Sequence, residues 1–332
     1  MTKAEIVREL LDKPKFREMP NNTFARFLRE KHPNVFSSVE RARDIVRMVK
    51  GVKTKSDKMA TKDPNKTKYF QEALDNLPEP EEPFITTQYS LNHDRYKRAG
   101  VMCDVHVGHH DPTALKTAIV FLKGENIDNL VVNGDVFDGR SVSHWERDLK
   151  SFDAQKELQQ NRLFWGAIRK AFPNIPITYK FGNHEVWWQR YLRDHCVNIS
   201  GIPEFQLEII LKLQDFNIDY VPDLDSIKYG KTMFLHGHEF KSKSSAFNIS
   251  RTNFNKCHED AIYGDAHKTD QFIYKTPSGQ EFKTYNIGCL CNLQAPFRPY
   301  NQWNHGTGIV HILDKEGNYE VENKRILNGK VL

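Results

Sequence analysis

The sequence predicts an α/β protein in which two β-sheets pack face to face with helices outside, behind a small helical unit at the front. Three observations carry this. From about residue 96, apolar runs of strand length alternate with helical stretches. The last hundred residues are richer in strand patterns than in helical ones. The first fifty instead carry apolar residues at helical spacing, punctuated by Pro14, Pro33 and Gly51. Sheets and helices that each have one apolar face bury it by stacking in layers.

Residues 1–51 are expected to form a basic three-helix domain. The first helix covers 3–11, with Ile6, Leu10 and Leu11 on one face, and Pro14 discourages its continuation. The second covers 22–31, with Phe24, Phe27 and Leu28 as its apolar stripe, and Pro33 ends it. The third opens at Ser37-Ser38-Val39-Glu40, a capping box in which Ser37 caps and Glu40 reaches back. Val39, Ala42, Ile45, Val46 and Val49 follow at helical spacing, and Gly51 is the expected C-cap. Arg41, Arg43, Arg47 and Lys50 decorate the other side. A helix-turn-helix-like domain would place such residues on nucleic acid phosphates. Protein docking, or a purely structural role, is the alternative.

Residues 52–92 are polar, with Pro78, Pro80 and Pro83 among glutamates, and read as a linker with a short helix around 69–77. The domain over 93–332 follows. Strands are expected over 99–103, 129–133, 175–181 and 231–235, and helices over 112–123, 154–172 and 185–195. A hairpin is expected around 276–279, with terminal strands over 308–313 and 319–323. In the third of these helices, Trp187, Trp188 and Tyr191 are assigned to packing rather than to base stacking.

The composition, 39% hydrophobic and 27% charged, suits a soluble globular protein, and no apolar run approaches the length of a membrane span. Met1-Thr2-Lys3-Ala4-Glu5 lacks the apolar stretch of a secretory signal. The five cysteines are scattered and odd in number, so free thiols in a reducing, cytoplasmic compartment are expected. Cys289-x-Cys291 has no matching second pair, which argues against a structural zinc site there. The net charge of +5 is uneven: residues 1–68 carry 18 Lys+Arg against 9 Asp+Glu, and the remainder 30 against 34. A basic front suits a polyanion partner, although a solvated lysine-rich linker gives the same count.

The chemistry lies in five blocks: Asp104-Val105-His106, Gly134-Asp135-Val136-Phe137-Asp138, Gly182-Asn183-His184-Glu185, His236-Gly237-His238 and Gly264-Asp265-Ala266-His267. Each opens a polar turn after an apolar run and supplies oxygen or imidazole donors, the donor types that hold a pair of divalent ions. His109, His110 and His238 flank these blocks, where they could touch substrate or serve as hydrogen-bonded loop residues.

The blocks resemble those of the calcineurin-like metallophosphoesterase superfamily, D-x-H, G-D-x-x-D, G-N-H-D/E, a lone histidine followed by Gly-His, and G-H-x-H, over about residues 97–315. The resemblance implies a four-layer α/β/β/α sandwich with the ligands on loops at one edge. It implies that Asp104, His106 and His267 hold a first metal, that Asp135 bridges both, and that Asn183 and His236 hold the second. Asp265 stands where the family has histidine. As a carboxylate it could ligate the second metal or leave it weakly bound, with His258 as a fallback ligand. His184 resembles the catalytic histidine that protonates the leaving group, and Asp138 the aspartate that orients it. Arg140, shifted by one residue from the arginine of related protein phosphatases, could reach a phosphate.

The expected cofactors are two divalent ions, manganese first, with iron, zinc or magnesium as alternatives. The expected activity is hydrolysis of a phosphoester by a two-metal-activated hydroxide, in a phosphodiester of nucleic acid. Two alternatives stay open. One is a small-molecule or phosphoprotein phosphatase docked by its front domain. The other is a non-enzymatic nucleic-acid-binding protein whose metal site Asp265 has impaired.

Overall fold

In the computed structural model, which describes residues 2–51, 72, 74–78, 85–143, 153–240, 247–295 and 298–332, the apolar runs that end in polar blocks become strands. The chain divides into two compact units, Met1–Phe84 and Ile85–Leu332.

In the first unit the helices are α1 Lys3–Leu11, α2 Pro14–Arg17, α3 Asn21–Lys31 and α4 Val39–Val49. The short α2 is additional to the three expected. Pro14 ends one helix and opens the next, because a proline at the first helical position lacks only an N–H that would be unpaired anyway. Ile6, Val7, Phe16, Phe24, Leu28, Phe36, Ala42 and Val46 close over one another as the unit's own core. Ser38, not Ser37, caps α4, accepting from Arg41 N at 3.2 Å. Ser38 is extended (φ −151°, ψ 157°) and so sets its hydroxyl over the first turn. A capping box does form at α1, between Thr2 and Glu5.

The second unit begins earlier than the expected boundary. β1, Gln88–Leu91, lies inside the segment read as linker and pairs in parallel with β6, Ser226–Tyr229. An exposed edge strand has no apolar alternation to mark it. Of the expected linker helix around 69–77, residues 72 and 74–77 are described, and 72, 74 and 75 are helical, with Asn76 N donating to Glu72 O at 3.1 Å; the others lie outside the described residues. The remaining strands are β2 Arg98–Met102, β3 Asn129–Asn133, β4 Ile177–Lys180, β5 Asp219–Val221, β7 Thr232–Phe234, β8 Ala261–Tyr263, β9 Thr269–Lys275, β10 Glu281–Ile287, β11 His305–Ile312, β12 Tyr319–Leu327 and β13 Lys330–Val331. The helices are α5 Pro112–Gly124, α6 Ala154–Ala171, α7 Asn183–His195, α8 Leu207–Ile210 and α9 Ile249–Cys257.

Among the described residues the strands form two sheets, ordered β1-β6-β7-β8-β10-β9 and β13-β12-β11-β2-β3-β4-β5. Alternation along each strand divides its side chains between two cores. Ala99, Val101 and Val131 of one sheet meet Ile227, Phe234, Ile262 and Ile287 of the other. Met102, Leu130, Val132, Ile177 and Tyr179 face outward onto Leu115 and Leu122 of α5 and Trp165 and Ile168 of α6. The outer face of the sheet that contains β9 and β10 is covered by α9, whose Phe254 packs on Phe272, Tyr274 and Phe282. The result is a four-layer α/β/β/α sandwich.

Strands β2 through β5 pair in parallel, and so do β7 and β8. Asp104, Asp135, Asn183, His236 and Asp265 each lie within three residues of the carboxyl end of β2, β3, β4, β7 or β8. Open parallel sheets bind ligands at that edge.

Candidate metal centre

The blocks converge through backbone bonds between their loops. Asp104 N donates to Gly134 O at 3.1 Å, His106 N to Asp135 O at 2.9 Å, and Gly264 N to His236 O at 2.9 Å. The glycines of the blocks have a packing reason: a Cβ on Gly134 would run into His236, and one on Gly182 into both Asp135 and His236. Asp104, His106, Asp135, Asp265 and His267 all have left-handed backbones, φ +48° to +58°. That region is sparsely populated outside glycine and is found at functional sites.

Among the described residues four donor groups result, one of them His267 with Cys289 and Cys291 and the other three built from the carboxylates and imidazoles of the blocks. Asp104, His106, Asp135 and His267 bring ligand atoms within 4.8 Å of one another, as do Asp135, His236 and Asp265, and His106, Asp138 and His184. Asp135 belongs to the first two. Its Oδ1 lies 3.2 Å from His236 Nε2, and its Oδ2 lies 3.8 Å from His106 Nε2. His267 Nε2 is 3.2 Å from Asp104 Oδ1 and 3.3 Å from His106 Nε2.

These residues fit divalent ions. Asp104 Oδ2 and Asn183 Oδ1 are shielded from solvent and have no hydrogen-bond partner. Buried polar oxygens of that kind call for a cation or a donor. Burial opposes charge on His106, but its hydrogen bond to Asp138 and the charges of Asp138 and Asp135 raise its pKa to about 9. Burial also opposes charge on Asp135, yet His236, His184 and His106 hold it well below the usual carboxylate range. Asp265 is pushed up by burial and by the charges of Asp135 and Asp104. Carboxylates crowd around a point that favours positive charge, and divalent ions satisfy all of them together.

Asp138 departs from expectation. Its carboxylate accepts from His106 Nδ1 at 2.8 Å and pairs with Arg140 Nε at 2.8 Å. His184 Nδ1 donates to the Asp138 backbone carbonyl at 2.6 Å, with the carboxylate Oδ1 farther off at 4.0 Å. The chain turns sharply at Gly139 (φ +68°), which aims the carbonyl at one histidine and the carboxylate at the other. Arg140 is therefore held by Asp138 rather than free. His109 is at the rim, 3.7 Å from Asp138, and His110 Nδ1 lies 3.4 Å from Gly108 N. His238 faces Asp223 at 3.9 Å. His258 caps α9, packs on Phe254 and joins none of the donor groups. Trp187 stacks on His184, centroids 3.9 Å apart, and Trp188 donates to Phe205 O.

Buried supports were not singled out from sequence. Glu185 accepts from the backbone N–H groups of Asp135, Val136, Phe137 and Gly182 at 2.7–3.1 Å and from the Tyr179 hydroxyl. Glu239 accepts from His236 N and Gly237 N and pairs with fully buried Lys180 at 2.9 Å, with its carboxyl held at about 2 against the effect of burial. Their signal was weak: a carboxylate beside a ligand, with no sign of its buried partners. Glu185→Gln would set an amide N–H against backbone donors, and leaving buried donors unpaired is expected to destabilise this unit by about 2–5 kcal/mol. All five tryptophans lie beyond residue 144, so urea unfolding followed by tryptophan fluorescence reads this unit alone.

The sequence matches the calcineurin-like phosphoesterase family over residues 97–291. The chain belongs to that family. Calcineurin-like phosphoesterases use divalent metals, and the donor groups here could hold one. Gene 54 protein of Mycobacterium phage L5 is 27% identical over 163 residues, 46% of this chain and 63% of the phage protein. The chain thus spans less than two thirds of that relative's length. Among solved structures, a mutant Vps29 from Entamoeba histolytica has a TM-score of 0.38 at 12% identity, covering 71% of this chain and 96% of that one. YfcE, a phosphoesterase from E. coli, has a TM-score of 0.32 at 13% identity, covering 68% and 98%. Against the calcineurin-like pattern, Asp265 for histidine is the departure in the last block. No described helix is long and apolar enough to cross a membrane.

Proposed function

We propose that the protein is a metal-dependent phosphoesterase that holds two divalent ions, manganese first among them, and cleaves phosphodiesters in nucleic acid. One observation carries the hydrolase reading: two donor groups share Asp135, whose two oxygens face opposite sets of ligands. Asp104, His106 and His267 would hold one ion, Asn183, His236 and Asp265 the other, and Asp135 both. The ions, when bound, supply a charge that activates water and neutralises phosphoryl oxygens.

The chain's own groups do the rest. His184 Nδ1 is tied to Asp138 O, so its Nε2 turns toward the site, 3.8 Å from Asp135 Oδ2, with the side chain 19% exposed. A charged His184 can therefore give its Nε2 proton to the leaving oxygen. Asp138 fixes His106 and Arg140 in place. Asp265 lies with Asp135 and His236, which supports a working second site over an impaired one.

The nucleic-acid reading rests on the charge of residues 1–68. Arg41 and Arg47 are exposed on α4, as phosphate contacts need, and Arg43 is half-buried. Lys50 is not free, since its ammonium donates to Arg17 O and Met19 O. The α3–α4 connection, 32–38, is longer than the turn of about three or four residues in a helix-turn-helix. These two observations favour the second reading, a phosphatase docked through this unit.

Deleting residues 1–55 decides between them. Hydrolysis of a small diester with manganese is expected to be unchanged. Cleavage of long DNA or RNA is expected to weaken, most clearly at low salt, where displaced counterions contribute most to binding. Equal cleavage of long polymers by both proteins across a salt series moves the reading to the docked phosphatase.

A further inference from the structure

The imidazoles of the centre share a design. His106 Nδ1 donates to Asp138 Oδ1 at 2.8 Å, and His236 Nδ1 to Asn133 O at 2.8 Å. In each, an acceptor behind the ring holds Nδ1–H and turns the bare Nε2 toward the metal ligands. His267 also turns Nε2 inward. Behind its ring stands sulfur: Cys291 Sγ lies 3.4 Å from His267 Nδ1.

Cys291 is fixed for that task. It is 4% exposed and forms a β-bridge with His110. The residues beside it bond to the first ligand loop, Leu290 N to Asp104 O at 3.0 Å and Asn292 N to His109 O at 2.8 Å. The thiol thus sits on the same frame as Asp104 and His106. A second thiol, Cys289, lies within 4.8 Å of both Cys291 Sγ and His267, and its own Sγ–H donates to Asn304 O at 3.5 Å. Trp303 packs on the His267 ring, centroids 4.3 Å apart, and limits its tilt.

We infer that Cys291 is the positioning residue for His267: its sulfur accepts the Nδ1–H, selects the tautomer and aims Nε2 at the first metal. The inference rests on His267 being a metal ligand. It gives the chemistry of the Cys289-Leu290-Cys291 segment, which has no partner pair in sequence, as support of a ligand rather than as a metal site of its own.

Cobalt(II) titration of the full chain, followed by visible absorption and competition with a chelator, tests this. Cys291→Ala is expected to weaken one of two bound cobalt ions about ten- to a hundredfold and to leave the other near wild type. Cys291→Ser keeps an acceptor and is expected to recover most of the loss, which a packing defect would not allow. Equal cobalt affinity in Cys291→Ala, or no recovery in Cys291→Ser, overturns the inference. An intense sulfur-to-cobalt charge-transfer band in the wild type, lost in both variants, also overturns it, because Cys291 would then be a ligand. Should the variants fail to fold, long-range nitrogen–proton NMR of the zinc-loaded wild type decides. Protonated Nδ1 and metal-bound Nε2 on His267 are expected, and the reverse overturns the inference. A wild-type chain that binds no cobalt or zinc sinks the metal-centre reading itself, a result distinct from all of these.

Discussion

Asp135→Asn is expected to lower turnover by about a thousandfold or more, because it removes charge where both ions need it. Asp135 Oδ1 faces His236 Nε2 at 3.2 Å, and Oδ2 faces His106 Nε2 and His184 Nε2 at 3.8 Å. An amide offers one acceptor oxygen in place of two anionic ones, so one donor group loses its share. Elemental analysis of the manganese-loaded variant should find one ion or fewer where wild type is expected to hold two. The fold should survive, since Glu185 still binds the backbone N–H of residue 135. A variant that keeps both ions and most of its rate would remove Asp135 from the bridge.

His184→Ala is expected to cost about 10²–10⁴ in rate on substrates with poor leaving groups while both ions stay bound. The ring is pinned at Nδ1 by the Asp138 carbonyl and stacked on Trp187, so its Nε2 is pre-aimed. Under the proposed role of proton donor it matters least for a good leaving group such as a nitrophenolate, which needs no proton. The loss should therefore shrink on a chromogenic diester, in a side-by-side kcat comparison with an alkyl-leaving diester. Loss of metal with an unchanged rate per metal-loaded enzyme would make His184 a ligand instead.

The strands that carry the ligands could be read from the sequence because each is an apolar run that stops at a charged or polar block. β3 begins and ends at the residues expected, Asn129 and Asn133. β1 escaped notice because Gln88-Tyr89-Ser90-Leu91 is mostly exposed and has no apolar rhythm. Block order placed Asp104, His106, Asp135, His236, Asp265 and His267 at neighbouring strand ends, where their side chains form the donor groups. The direction of Asp138 was not legible, since letters do not distinguish a carboxylate from a carbonyl on the same residue, and here each serves a different histidine. Cys291 was invisible for another reason: its partner His267 lies 24 residues away, joined by the return of the chain through β9 and β10.

The left-handed backbone at residue 265 has a consequence for how this family can vary. At φ +58° a β-branched or bulky side chain would be strained, whereas aspartate, asparagine and histidine are enriched there. The family's histidine and this chain's Asp265 are therefore both tolerated by the same loop, and their codons differ at a single base. Under the proposed ligation, one point mutation exchanges imidazole for carboxylate facing the second ion without bending the chain. In this chain the metal preference of that position can then change while the sandwich that holds the site stays as it is.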